Sequence, residues 1–441
     1  MVFGQFYHAD GCEESEEKGW LMDNIEPLDK RGPEDIAREA IDWCVGCDFC
    51  GYIMEAPCPV FPELKRLYDK VGGKVENLTS AELRHFVDLC NECGICPCNI
   101  IRSGLRNAKK AFIRRDGLNL ATRLLERVEL VGRISASFPA FSNSLARAPL
   151  TSKIIKRTLG LSPNRKIPVV PKENFMKWMA RNGRHFTLEG ARHKVAYFVG
   201  CGGRYLFPDV PKAAVKVLTH NNIEVLIPEQ RCCGAPPFLE GDRNFTLSLV
   251  AENAKHLYEV VEGGFDIVCS CPTCGYMLKE VLKDQEYFIS MDRDKRIQIA
   301  SKTYDLGEYL ARLQKKGELK TDFVPVHADT VYYPPCHLRS QRIGEPYATV
   351  LAGVPELKIR KIEGDAYCCG LAGIVGLKRD FYQAGVEMGK GLMQHVQGLN
   401  PEKILTDCFG CQLQFKQLLS YPVSHPVEVL AQAYGDGQKQ S

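Results

Sequence analysis

The chain has 441 residues, 45% of them hydrophobic and 25% charged, with a formal net charge of +3: ample for two to four cored domains, unlike a disordered tail, and too near neutrality to name a partner. It holds no run of about eighteen apolar residues, so no spanning helix is expected, and its opening "MVFGQFYHADGCEESEEKGW" lacks the basic start and apolar stretch of a secretory signal. A cytoplasmic setting is therefore expected, where twenty cysteines argue against a disulfide framework and for metal ligation or redox chemistry.

In chain order, residues 1–40 read as an acidic N-terminal extension. Residues 41–120 read as a small α-helical domain organised by metal. Its first cysteine group is "CVGCDFCGYIMEAPCPV", with Cys44, Cys47, Cys50 and Cys58; its second is "CNECGICPCNI", with Cys90, Cys93, Cys96 and Cys98. Between them "NLTSAELRHFVDLC" predicts a helix capped by Thr79 or Ser80. C-x2-C-x2-C followed by a Cys-Pro is the bacterial ferredoxin pattern, in which three close cysteines take one cubane cluster and the fourth ligates the other. That predicts one [4Fe–4S] cluster on Cys44, Cys47, Cys50 and Cys98, and a second on Cys90, Cys93, Cys96 and Cys58. The spacing departs from the pattern at both fourth cysteines, seven residues intervening before Cys58 and one before Cys98. Structural zinc also uses C-x2-C pairs, but two C-x2-C-x2-C triplets favour iron.

Residues 121–190 form a basic helical connector. "LNLATRLLERVELVGRI" has helical apolar spacing, and a proline-broken stretch follows, ending near "IPVVP". From Arg102 to Arg184 nineteen Lys or Arg face only four acids, Asp116, Glu126, Glu129 and Glu173. The plain reading is a set of amphipathic helices covering this protein's own core. The functional reading is a basic face resting on anionic lipid or an anchor subunit. Nucleic acid is not expected, for want of a binding motif or interleaved aromatics.

From residue 191 the chain repeats itself. "KVAYFVGC" ends on Cys201, "NIEVLIPEQRCCG" leads to Cys232 and Cys233, and "FDIVCSCPTCG" delivers Cys271 and Cys274. From residue 331 "DTVYYPPC" delivers Cys336, "LKIRKIEGDAYCCG" Cys368 and Cys369, and "EKILTDCFGC" Cys408 and Cys411. The gaps are thirty and thirty-seven residues in the first copy, thirty-one and thirty-eight in the second. Helical stretches such as "FPDVPKAAVKVLTHN" and "DFYQAGVEMGKGLMQHVQG" separate the β runs, which implies parallel strands in two α/β domains, 191–330 and 331–441. Ligand groups gather at the carboxyl ends of such strands, so five thiols per repeat can converge.

Adjacent cysteines make a poor disulfide, because neighbouring Cα atoms lie about 3.8 Å apart and a relaxed bridge wants about 5.5–6 Å. Five thiols also exceed the four that a tetrahedral zinc accepts. A polynuclear cluster can use both members of the pair. Gly234, Gly370 and Gly373, with Gly376, then let the backbone approach it and offer N–H groups to its sulfides. No G-x-G-x-x-G fingerprint follows a predicted strand, so a flavin or nicotinamide is expected on a partner.

The two C…CCG…C-x2-C blocks resemble the CCG (cysteine-rich) domains of iron–sulfur proteins such as the B and D subunits of heterodisulfide reductase and the C subunit of anaerobic glycerol-3-phosphate dehydrogenase. The strings "PPCHLRS", "CCGLAGIVGLKRDFY" and "LTDCFGCQLQF" lean toward the last of these. The resemblance implies a non-cubane [4Fe–4S] cluster on Cys201, Cys232, Cys233, Cys271 and Cys274, and another on Cys336, Cys368, Cys369, Cys408 and Cys411. The expected whole is a multidomain α/β and α+β protein, with a ferredoxin-like start and two tandem α/β CCG domains. The expected function is electron transfer in an anaerobic, membrane-associated oxidoreductase complex, hetero-oligomeric, between a flavoprotein or other redox subunit and a quinone- or membrane-linked subunit. The alternative is a catalytic heterodisulfide reductase with the substrate disulfide between two non-cubane clusters. A zinc-stabilised scaffold is the non-redox reading. Cys12 and Cys269 fall outside every motif, Cys269 reading as a buried strand thiol. His337 and His425 read as capping or ordinary hydrogen-bonding residues, and no G-x-S-x-G elbow signals a hydrolase.

Overall fold

The computed structural model describes residues 31–46, 58–94, 96, 99–362 and 368–435. Cys12, Cys47, Cys50 and Cys98 lie outside the described residues.

Helices α1 (Pro33–Val45), α2 (Val60–Lys70), α3 (Ser80–Asp88) and α4 (Asn99–Asp116) share one apolar core, built from Ile36, Ile41, Leu67, Leu83, Phe86, Leu105 and Phe112. Thr79 caps α3: its side chain accepts from the Glu82 amide and Glu82 reaches back to the Thr79 N–H, a reciprocal capping box. Pro33 opens α1 inside the acidic stretch, and burial of Ile36, Ala37 and Ala40 carries that helix across the boundary expected at residue 40.

The connector begins with α5 (Leu120–Glu126), α6 (Val128–Ser137), α7 (Pro139–Arg147) and α8 (Pro149–Thr158). Two prolines that read as breaks in the sequence stand at the first position of α7 and α8, where the ring's fixed φ favours a helix and the missing N–H costs nothing. Part of the connector covers the chain's own core: α6 packs on the helix Gly200–Tyr205, and Arg165 is buried against the second repeat, donating to Gln414 Oε1 at 2.7 Å and the Gly376 carbonyl at 2.6 Å, whereas α7 and α8 bury no residue.

Two sheets follow, and they are copies of one plan. The first runs, edge to edge, β1 (His185–Phe186), β3 (Ile223–Leu226), β2 (His193–Phe198), β4 (Asp266–Cys269) and β5 (Thr303–Asp305), and the second β7 (Leu357–Lys361), β6 (Ala328–Tyr332), β8 (Lys403–Leu405) and β9 (Val423–Ser424). The leading strand of each repeat, β2 or β6, lies between the other two predicted strands, β3 and β4, or β7 and β8. All these pairs are parallel. Each sheet gains one further parallel strand, β5 or β9, and the first adds antiparallel β1. Val195 to Val199 are wholly buried, as parallel strands covered on both faces require. One apolar cluster runs from Val195 and Leu218 through Leu306 to Tyr347, Leu405 and Leu430, so the repeats are packed as one body.

His425 caps the last helix, Pro426–Ala433. Its Nδ1 accepts from the Val427 amide at 3.0 Å and its Nε2 donates to the Ser270 carbonyl at 2.7 Å. The bond from Val427 needs the neutral ring, because a protonated Nδ1 cannot accept, and burial holds the pKa down, at about 4. The unfolded chain takes up this proton near pH 6.5. The contribution is therefore whole above pH 6.5 and is lost as pH falls toward 4, by up to about 3 kcal/mol. Thermal midpoints measured on either side of that window should fall on acidification in the wild type and fall less in H425N, whose amide oxygen keeps the cap without the titration.

Candidate metal centre

Every block cysteine stands at the carboxyl edge of its sheet. Cys201 lies in the helix after β2, the pair Cys232–Cys233 follows β3, and Cys271 caps the helix Pro272–Lys279, with Cys274 in its first turn. In the second block Cys336 opens a helical turn after β6, Cys368 and Cys369 follow β7, and Cys408 caps the helix Phe409–Leu418, with Cys411 in its first turn. Helix N-termini of this kind favour thiolate. Cys232 and Cys201 Sγ atoms are 3.5 Å apart, Cys411 and Cys369 3.1 Å.

The blocks meet each other. Cys271 and Cys408 hydrogen-bond across them, and a cavity of about 340 Å³ is lined by every block cysteine except Cys232, together with Cys93 of the N-terminal domain. Hydrogen bonds from Cys232 and Cys274 hold the Cys233 thiol down at about 6. Bonds from Cys368 and Cys411 lower Cys369, and bonds from Cys271 and Cys411 lower Cys408. Burial raises Cys336, with Cys93 and Cys369 beside it. Such a crowd of buried sulfurs cannot all ionise unless positive charge sits among them. The chain supplies part of it: Arg204 beside Cys201, Arg339 beside Cys336 and Arg165 beside Cys369. Glu129 of the connector fixes Arg204 at 2.8 Å and accepts the Cys232 amide at 3.3 Å.

The donor set suits a sulfur-bridged metal cluster. It is all thiol and five to a block, and the Gly370 N–H points at Cys368 Sγ at 3.4 Å. Five thiols to a block exceed the four that a tetrahedral zinc accepts.

Gly200, absent from the sequence-based site, makes room for a thiol: its φ is +69° and a Cβ there would stand 2.8 Å from Cys274 Sγ. Its only sequence signal is its place before Cys201 in "VGCGG". Gly370 has φ +81°, and a Cβ on it would lie 1.8 Å from the Gly385 carbonyl oxygen, so the loop's glycine also admits the backbone of the helix Tyr382–Leu399. Gly373 lines the cavity; Gly234, at φ +88°, faces Val250.

A model for the cysteine-rich domain named CCG matches residues 195–279 and 330–416. The chain carries two CCG domains. Relatives that share sequence with it include the C subunit of anaerobic glycerol-3-phosphate dehydrogenase from Escherichia coli (strain K12), 25% identical over 321 residues, 71% of this chain and 77% of the relative. The B subunit of fumarate reductase (CoM/CoB) from Methanothermobacter marburgensis is 30% identical over 251 residues, 55% of this chain and 47% of the relative. An uncharacterized iron–sulfur protein of Methanococcus maripaludis is 25% identical over 273 residues, 62% of this chain and 50% of the relative.

The loops of both CCG domains and of the N-terminal domain join at His337. Its Nε2 donates to the Glu92 carbonyl at 3.2 Å, leaving Nδ1 to accept from the Thr273 hydroxyl at 2.9 Å. Its ring stacks on Tyr276 at 4.6 Å. Glu92 stands between Cys90 and Cys93, Thr273 between Cys271 and Cys274, and His337 follows Cys336. Of the N-terminal cysteines, Cys58, Cys90, Cys93 and Cys96 are close enough to repel one another's charge, burial and Cys93 raising Cys58 to about 12. Cys44 packs against the N-terminal core. Cys269 ends β4 fully buried, burial and Asp305 raising its pKa, apart from the CCG cavity's lining.

Proposed function

We propose that this chain is the iron–sulfur electron-transfer subunit of an anaerobic oxidoreductase complex, working between a flavoprotein or other redox subunit and a quinone- or membrane-linked one. One observation carries the reading: ten block cysteines sit at the carboxyl edges of two sheets, and nearly all of them line one cavity that Cys93 also reaches. The ligand sets follow the blocks, Cys201, Cys232, Cys233, Cys271 and Cys274 for one non-cubane [4Fe–4S] cluster, and Cys336, Cys368, Cys369, Cys408 and Cys411 for a second. A ferredoxin-like N-terminal domain would hold two cubane clusters, on Cys44, Cys47, Cys50 and Cys98 and on Cys90, Cys93, Cys96 and Cys58. Bound there, such clusters supply one-electron acceptors whose potentials follow burial and hydrogen bonding. The chain's own residues exclude water, hold the thiols in their register and balance charge through Arg165, Arg204 and Arg339. The relatives named as subunits of glycerol-3-phosphate dehydrogenase and fumarate reductase support this reading.

The contact between Cys271 and Cys408 favours a second reading, a catalytic thiol–disulfide reductase with its substrate between the blocks. Purified iron-replete chain, given reduced viologen and a mixed thiol disulfide, separates the two. The relay reading predicts no turnover without a partner subunit; sustained turnover by the chain alone would replace it with the catalytic one.

A further inference from the structure

Helices α6, α7 and α8 and the junction between the first two present large apolar side chains to solvent: Ile134 is 62% exposed, Phe138 71%, Phe141 65%, Leu150 72% and Ile154 56%. A lone exposed apolar residue is ordinary, whereas five within one short stretch mark an interaction surface. The charge around them has one sign. The forty-three residues from 130 to 172 contain no Asp or Glu and eight Lys or Arg. Arg133, Arg147, Lys153 and Arg157 of that run are exposed beside the apolar positions. The inner side of α6 is committed elsewhere, Val128, Val131 and Gly132 lining the cysteine cavity. Among the described residues no helix is long and apolar enough to cross a membrane.

We propose that α6–α8 dock this chain flat on an anionic lipid surface, with Phe138, Phe141 and Leu150 entering the headgroup layer and Arg133, Arg147 and Lys153 meeting lipid phosphates. Apolar side chains interleaved with cations and free of acids are what an interfacial helix needs, since burial and attraction to anionic lipid add. An acid-free surface fits a polyanionic plane better than the neutral apolar groove of a protein. In α6 the docked face and the cysteine cavity then lie on opposite sides of one helix. The inference deepens the membrane-linked relay described above and rests on it for its purpose.

The test uses the full chain, purified anaerobically, and sedimentation with vesicles of equal parts phosphatidylglycerol and phosphatidylcholine. The chain should co-sediment at low salt, be released by high salt, and ignore pure phosphatidylcholine. Replacing three cations together, Arg133→Gln, Arg147→Gln and Lys153→Gln, should lower partitioning about 100-fold. The pair F138S and F141S should abolish it at unchanged charge. Both variants should keep wild-type iron, which excludes misfolding. Iron-replete wild type left in the supernatant, equal binding to neutral vesicles, or wild-type binding by the variants overturns the proposal. Co-purification with a transmembrane subunit without vesicle binding also overturns it, in favour of a protein partner. Iron-free chain that still binds anionic vesicles would sink the relay and leave the docking face standing.

Discussion

C369S, purified anaerobically, is expected to hold about four fewer iron atoms than the wild type, with matching loss of acid-labile sulfide. Cys369 is one of the adjacent pair, 3.1 Å from Cys411 Sγ, and hydrogen bonds from Cys368 and Cys411 already hold its thiol in the ionised direction. Serine there would offer a hydroxyl that stays protonated, a poor ligand for iron. C269S supplies the contrast. Cys269 is equally buried but belongs to the sheet, so this variant should keep its full iron and lose only about 1–2 kcal/mol for an added buried hydroxyl. Equal iron in the two variants would mean that the block cysteines are packing residues.

H337A is expected to uncouple the three cysteine loops without removing a sulfur. It strips the donor from the buried Glu92 carbonyl and the acceptor from the half-buried Thr273 hydroxyl, and ends the stack on Tyr276. Stability should fall by about 2–4 kcal/mol, read as an earlier unfolding transition. Iron should be retained, because every thiol remains. The diagnostic readout is spectroscopic: magnetic interaction between the reduced N-terminal centre and the second block should weaken as Cys93 and Cys336 drift apart. H337Q, whose amide can donate and accept, should recover part of both effects. A variant that loses stability while keeping the magnetic interaction would reduce His337 to a packing residue.

The two-sheet plan was legible because six β-rich runs each lead to a cysteine, and because the two copies hold register to within one residue. The strands added by β5 and β9 were not, since three and two residues carry no period to read. Helix α1 hid in an acidic stretch whose buried face is Pro33, Ile36, Ala37, Ala40 and Ile41. In the connector the prolines at 139 and 149 looked like interruptions and are helix starts. The thiols of the site could be read from motif spacing, while its supports could not. His337 reaches partners 64 and 245 residues away, Arg165 reaches Gln414 at 249, and Gly200 matters through a sulfur that only the fold brings near. Cysteines announce chemistry by type, whereas a histidine or arginine that braces them becomes visible only in contact.

The claim on which the rest depends is that the buried thiols cage iron and sulfide, and elemental analysis of anaerobically purified full chain tests it most directly. Four [4Fe–4S] centres predict about sixteen iron atoms and as many acid-labile sulfides per chain, with zinc far below one. Zinc near stoichiometry without labile sulfide would contradict the account.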